Sequence, residues 1–275
     1  MKLSIVICSR SGIPNRLKES LAKQTIQPDE VIEIVGSSLT SQRNEGVGKA
    51  TSDLIMFLDD DIELSNDYIE NILNTFYLYS DANAVTGKVV VKMFKPNFLH
   101  TIFAYIFMLS RRGKGRFLMS GFPETYDRQI LSVTKSQVLH GCNMTIRKGV
   151  FDKIEFNEDL EGGMYGEDDW FSYQAYLKGF VVYYTPFAVC FDNREYPIGK
   201  QSWKVRCTIL NLIKRNEERR GNLLQNITFY WSLFGFVLMK IVESIIMRDF
   251  SIMKGIANAL WKILTSMRFK VSELK

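Results

Sequence analysis

The feature that most narrows the fold is the run Leu54-Ile55-Met56-Phe57-Leu58, followed at once by Asp59-Asp60-Asp61. An unbroken apolar run bounded by polar residues reads as a strand buried on both faces of a parallel sheet. Three carboxylates at its carboxyl end repel one another unless a cation sits among them. The carboxyl ends of strands are also where open α/β sheets bind ligands. Hard oxygen donors grouped this way suit Mg²⁺ or Mn²⁺, and such an ion could hold a diphosphate. The competing reading is that one Asp caps the helix starting near Ser65 and the others are solvated.

The preceding residues set the topology. Leu3-Ser4-Ile5-Val6-Ile7-Cys8 reads as a first strand and Ser9-Arg10-Ser11-Gly12 as its turn. Leu17 and Leu21 then recur at helical spacing, and Val31-Ile32-Glu33-Ile34-Val35 is a second strand. A polar helix over roughly 39–50 carries Arg43-Asn44. Strand, helix, strand, helix and strand in this order predict right-handed βαβ units. No Gly-x-Gly-x-x-Gly follows strand one and no phosphate-cradling Gly-Lys-Ser/Thr occurs, which disfavours dinucleotide and P-loop chemistry. Beyond the acidic triplet, a helix is expected over 68–79, strands over 84–91, 141–147 and 180–184, and a short helix over 148–153. The expectation is an α/β domain over residues 1–200, a mixed, mostly parallel sheet flanked by helices, with a helical extension over 201–275.

A second acidic cluster, Glu167-Asp168-Asp169, precedes Trp170 and follows the glycine-rich loop Glu161-Gly162-Gly163-Met164-Tyr165-Gly166. It opens a predicted helix, where the macrodipole favours anions. Capping alone would account for one acid; three exceed what a cap needs, and the glycines permit close approach of backbone to a ligand. A group transfer fits the two clusters. A metal at the first would neutralise a leaving diphosphate, and a carboxylate of the second would take a proton from an attacking hydroxyl. The two histidines, His100 and His140, lie in apolar stretches and are expected to be packed, so no Ser–His–Asp arrangement competes.

Charge is spread unevenly over the 275 residues. Residues 201–275 carry 13 Lys and Arg against 5 Asp and Glu, a balance of +8 in a chain whose net charge is +5. That segment is also rich in Leu, Ile, Phe, Trp and Met, which points to an anionic membrane surface rather than to nucleic acid. Between Arg220 and Lys240 lie 19 uncharged residues, close to the length of a membrane span. Interfacial helices, a packed bundle or contact between copies, and a true span remain open. The apolar run 98–109, followed by Arg111-Arg112-Gly113-Lys114-Gly115-Arg116, reads equally as a membrane-facing flap or as a helix packed on the sheet. Four cysteines without metal-site spacing, and a first strand with no signal-peptide core before it, favour a cytoplasmic location.

In combination these residues resemble the inverting family 2 glycosyltransferases of the GT-A fold, over about residues 3–215. The likeness rests on Ser4-Ile5-Val6-Ile7, on Arg43-Asn44 with Gly46 and Ala50, and on Phe57-Leu58-Asp59-Asp60-Asp61. It continues through Gly141-Cys142-Asn143-Met144 with Arg147, Gly166-Glu167-Asp168-Asp169 and Tyr184-Thr185-Pro186. The resemblance implies Mn²⁺ or Mg²⁺ at Asp61 with Asp59, and donor contacts from Asp59, Asp60 and Asp61 and from Ser9, Arg10, Arg43 and Asn44. It places the catalytic base at Asp168, flanked by Glu167, and a sugar or acceptor site at Asn143, Asp169 and Trp170.

Two departures stand out. Val35 occupies the position where the family often has a base-contacting Asp, and Asp192 stands near the position of a metal-binding His. The Gln-x-x-Arg-Trp motif of processive synthases is absent, which favours single addition. The implied partners are a nucleotide-diphosphate sugar and a lipid-linked saccharide used in surface polysaccharide synthesis. The implied location is the inner face of the cell membrane. A nucleotidyltransferase on a similar sheet would call for a richer phosphate loop than Ser9–Pro14, and a non-catalytic membrane module would not need both acidic clusters.

Overall fold

The computed structural model describes residues 1–91, 98–193 and 201–272. Residues 92–97, 194–200 and 273–275, which belong to the two expected regions, lie outside these. β1 (Leu3–Ser9), α1 (Asn15–Ala22), β2 (Glu30–Val35), α2 (Leu39–Lys49) and β3 (Leu54–Asp59) follow the expected alternation. β1 pairs in parallel with both β2 and β3. β4 (Ile62–Leu64), α3 (Tyr68–Leu78) and β5 (Ala84–Val91) come next. The segment 98–136 holds α4 (Phe98–Ile106) and three short strands, β6 (Arg112–Gly113), β7 (Thr125–Tyr126) and β8 (Thr134–Ser136). β9 (Asn143–Arg147), α5 (Glu167–Leu177) and β10 (Val182–Asp192) complete the sheet, and α6 (Ser202–Arg219), α7 (Leu223–Ile246) and α8 (Ser251–Ser272) close the chain.

The large sheet runs β2-β1-β3-β9-β5-β10-β4, with β8 also on β10. β2, β1, β3, β5 and β10 share one direction, while β9, β4 and β8 oppose it. The period of two along the strands sorts side chains into two cores. Ile5, Ile7, Leu54, Met56 and Leu58 face α1 and α3; Val6, Cys8, Ile55 and Phe57 face Phe151, Phe156 and Phe171. That double burial explains why β1 and β3 are apolar almost throughout. α2, nearly all polar, can sit this close to β1 because a Cβ at Gly46 would collide with the Val6 side chain.

Three elements differ from expectation. The last strand does not stop at Tyr184 but continues to Asp192, its register on β5 slipping between Thr185 and Val189, around Pro186, which has no N–H to donate. The helix expected over 148–153 is a single 3₁₀ turn, Lys148–Val150. The run 98–109 packs on neither face of the sheet. Ala104, Phe107 and Leu109 join Leu212 and Phe229 in a separate helical core.

Candidate active site

The carboxyl ends of β1, β3 and β10 lie along one edge of the sheet, and a cavity of about 1450 Å³ opens there. Ser9, Arg10, Asp59, Asp60, Asp61 and Asp192 line it from that edge, and Glu167, Asp168 and Asp169 line it from the first turn of α5. The two acidic clusters therefore share one pocket. β4 turns back on β10 directly after the triplet, setting Asp192 opposite Ile62, and the Asn193 N–H donates to the Asp61 carbonyl at 3.3 Å. This reversal brings Asp192 beside Asp61.

Arg43 braces the corner between the clusters. It is 1% exposed. Its guanidinium donates to Glu167 Oε1 at 3.0 Å, to the Gly141 carbonyl at 2.7 Å and to Asp59 Oδ1 at 3.4 Å. The plane also lies 5.2 Å from the centre of the Phe156 ring. Burial disfavours its charge, but Glu167 and Asp59 more than offset this, so Arg43 holds its proton more tightly than usual. Burial and the neighbouring Asp168 charge push the Glu167 carboxyl well above the ordinary range despite Arg43. Asp169 shifts the same way for the same two reasons, with Arg215 at 3.4 Å pulling against it.

Asp168 is held by backbone. Its Oδ2 accepts from the Gly141 N–H at 3.0 Å and its Oδ1 from the Asp169 N–H at 2.9 Å. A Cβ at Gly141 would come within 2.6 Å of Asp168 Oδ2, so any larger residue at 141 would displace the Asp168 carboxylate. The loop ahead of α5 is tightly folded, with positive φ at Gly162, Gly163, Tyr165 and Gly166. Asn211 of α6 ties it down, donating to the carbonyls of Met164 at 3.0 Å and Tyr165 at 3.2 Å. Tyr165, a non-glycine residue at φ 65, lines the cavity and carries backbone strain there.

Four expected site residues stand outside the cavity lining. Asn143, expected on the acceptor side, is fully buried between β9 and β5; its Oδ1 accepts from Thr86 Oγ1 at 2.7 Å and from the Gly87 N–H at 2.8 Å. Asn44, expected near the nucleotide, instead pins the backbone of Phe156, donating to its carbonyl and accepting from its N–H, both at 2.9 Å. Trp170, expected to floor a sugar site, turns toward α6, where its Nε1 donates to Glu218. Arg43 holds the walls together rather than lining the cavity.

Other lining residues carried no signal in the sequence. His100 and His140 both face the cavity, contrary to the packed fate expected for them. Tyr126 stacks on Tyr184 at 4.0 Å and meets His140 edge-on at 4.9 Å, forming an aromatic wall. From the helical extension come Lys204, Thr208, Asn211 and Arg215, so α6 closes the pocket instead of standing apart from it.

Among the described residues, no three His, Cys, Asp or Glu side chains form an all-protein metal cage. The donor chemistry at Asp61 and Asp192 still fits Mg²⁺ or Mn²⁺, because such ions are commonly held by one or two carboxylates and completed by substrate phosphates and water. Arg10, Lys204 and Arg215 around the same cavity suit an anionic ligand.

The family model for glycosyl transferase family 2 matches residues 21–155. Glucosyl-dolichyl phosphate glucuronosyltransferase of Haloferax volcanii is 25% identical over 187 residues, 56% of this chain and 55% of that enzyme. The chain thus spans little more than half the length of that relative. Among solved structures, GalNAc-T7 with UDP, GalNAc and Mn²⁺ superposes with a TM-score of 0.54 at 11% identity, over 90% of this chain and 58% of the other. TarS of S. aureus superposes with a TM-score of 0.49 at 12% identity, over 83% of this chain and 41% of the other.

Proposed function

We infer that this chain, which belongs to glycosyl transferase family 2, moves one sugar from a nucleotide-diphosphate sugar to a hydroxyl of a lipid-linked saccharide, with inversion. The observation that carries the reading is the shared cavity. One acidic corner stands at a strand end beside Asp192, and the other stands at a helix start with Asp168 aimed by two N–H donors.

In this reading the acceptor oxygen attacks the anomeric carbon as the bond to the diphosphate breaks, and the hydroxyl proton passes to Asp168. Asp61 and Asp192, with Asp59 behind them, are the residues that would hold Mn²⁺ or Mg²⁺. The ion, when bound, supplies charge neutralisation for the departing diphosphate. Ser9, Arg10 and Asp60 would contact the donor, and Asp169, paired with Arg215, would face the acceptor. Glu167 would act through Arg43, keeping the two corners in register. A lipid-linked acceptor draws support from the Haloferax relative, whose name places its own substrate on dolichyl phosphate. Peripheral seating on the inner face of the cell membrane draws support from α7, 24 residues long and apolar enough to cross a bilayer. The buttressing Lys240–Glu243 ion pair at 2.6 Å on its carboxyl half suits a helix lying on the surface better than one crossing it.

Asp168→Asn tests the base. Transfer should fall about 10²–10⁴-fold, while thermal stabilisation by nucleoside diphosphates with Mn²⁺ stays as in the parent. Unchanged turnover removes Asp168 from the role.

A further inference from the structure

One surface outside the cavity carries a ligand argument of its own, and it involves a segment that the helical extension does not contain. On α4, Phe98 and Leu99 are 77% and 73% exposed, and Ile102, Tyr105 and Ile106 continue the same apolar stripe at helical spacing. On α7, Ile227, Tyr230, Trp231 and Phe234 form an equivalent exposed stripe. The two helices are joined. Phe107 stacks on Trp231 at 4.7 Å and lies 6.0 Å from Phe234, and Trp231 Nε1 donates to the Ile106 carbonyl at 2.8 Å. Their outer faces therefore form one apolar surface, far more than the scattered exposed side chains of an ordinary soluble surface.

This surface borders the pocket. His100, Thr101, Ala104 and Tyr105 line the cavity from the opposite side of α4. Tyr105 belongs to both surfaces, and the Arg111 guanidinium lies 4.7 Å above its ring. Arg111 and Arg112 line the cavity as well, with Glu124 lying 3.6 Å from Arg111. An apolar face, aromatic residues at its margin and arginines beside them match the hydrocarbon, interface and headgroup layers of an anionic bilayer. A second copy of the chain suits this face less well, because a two-fold contact would bring the arginine-flanked margins against themselves.

We propose that the joined outer faces of α4 and α7 seat on an anionic bilayer, with Tyr105 and Arg111 at the seam where the lipid of the acceptor passes from membrane to cavity. This rests on the transferase reading above and adds to it a route. The acceptor enters sideways along α4, its chain staying in the bilayer while its phosphate meets Arg111 and Arg112.

The test is sedimentation of the full chain with vesicles of phosphatidylglycerol and phosphatidylcholine, and with phosphatidylcholine alone. The parent should bind the first more tightly than the second. Replacing Leu99 and Ile102 together by Glu should weaken binding roughly tenfold or more, because two apolar side chains leave the hydrocarbon. Leu78→Glu, an equally exposed apolar site on α3, should bind as the parent does. Thermal stabilisation by nucleoside diphosphates with Mn²⁺ should be the same in all three proteins, which also shows that the variants fold. Parent-like vesicle binding by the double variant overturns the proposal. So does a concentration-dependent dimer, without vesicle binding, that the same double variant breaks. Failure of the transferase reading looks different: no protein responds to any nucleoside diphosphate, while vesicle binding keeps its pattern.

Discussion

The acidic clusters have nearly the same composition and opposite surroundings. Asp59-Asp60-Asp61 leaves the end of β3 and runs into a reversal onto β10, so its charges face the cavity beside a fourth carboxylate, Asp192. Glu167-Asp168-Asp169 begins α5, where Arg43 and Arg215 sit against its outer members and backbone N–H groups hold the middle one. The first arrangement gathers four carboxylates where strand ends meet, which suits a cation arriving with its substrate. The second distributes counter-charge around a single oriented carboxylate, which suits proton transfer. In the proposed reading, what separates the metal corner from the base corner is the backbone element that presents the acids, not the acids themselves.

The largest expected effects test that division directly. Asp61→Asn and Asp168→Asn should each lower transfer by about 10²–10⁴-fold, as loss of a transition-state contact or of a general base does. They should part in binding. Asp61→Asn should erase the extra thermal stabilisation that Mn²⁺ gives in the presence of a nucleoside diphosphate, and Asp168→Asn should keep it. If both lose it, or neither does, the two corners do not have separate jobs.

Next in size is Arg43→Met. It removes the cation that joins Glu167, Asp59 and the Gly141 carbonyl and leaves two carboxylates facing each other across a buried corner. Breaking a buried pair in this way typically costs about 3–5 kcal/mol, read as a lower midpoint in urea. Gly141→Ala should be milder. The new methyl group must push Asp168 aside, an overpacking of about 1–3 kcal/mol. Because the displaced group is the proposed base, activity should fall further than stability does; proportional losses would mean that Asp168 tolerates the shift.

The contrast was only half visible in the chain. β1, β3 and both acidic clusters announce themselves locally, through apolar runs and adjacent carboxylates. Arg43 does not. It sits in a polar helix, and the partners that bury it lie 16, 98 and 124 residues away. Asn143 misleads for a similar reason. The residue lies in a motif, but its neighbours Thr86 and Gly87 arrive only when β9 inserts between β3 and β5. Trp170 follows the acids in sequence, yet it lies two positions past Asp168, about 200° around the helix, so it faces α6 while Asp168 faces the cavity. The contribution of Arg215 and Asn211 is equally long-range. The helical extension, read by composition as a separate membrane-association or oligomerisation region, also supplies one wall of the pocket.

The smallest expected effect concerns pH and bears on the base corner alone. Glu167 binds its proton more tightly in the folded chain than in the unfolded one, because burial and the Asp168 charge both disfavour its ionised form. The sign follows from proton counting. Between the ordinary carboxylate range and the raised folded value, the native state carries more protons than the unfolded state, so stability from this group falls as pH rises through that window. It is fully present below about pH 4.5, the ordinary value. Glu167→Gln cannot titrate, so the parent should gain on the variant as pH is lowered from neutrality toward 5, at a slope of no more than about 1.4 kcal/mol per pH unit. Paired urea titrations across that range measure the difference. A gap that is flat, or that widens toward higher pH, would mean that Arg43 dominates the site and keeps Glu167 ionised throughout. Glu167 would then serve as the standing counter-charge of Arg43, and the burial of its carboxyl would not set its protonation.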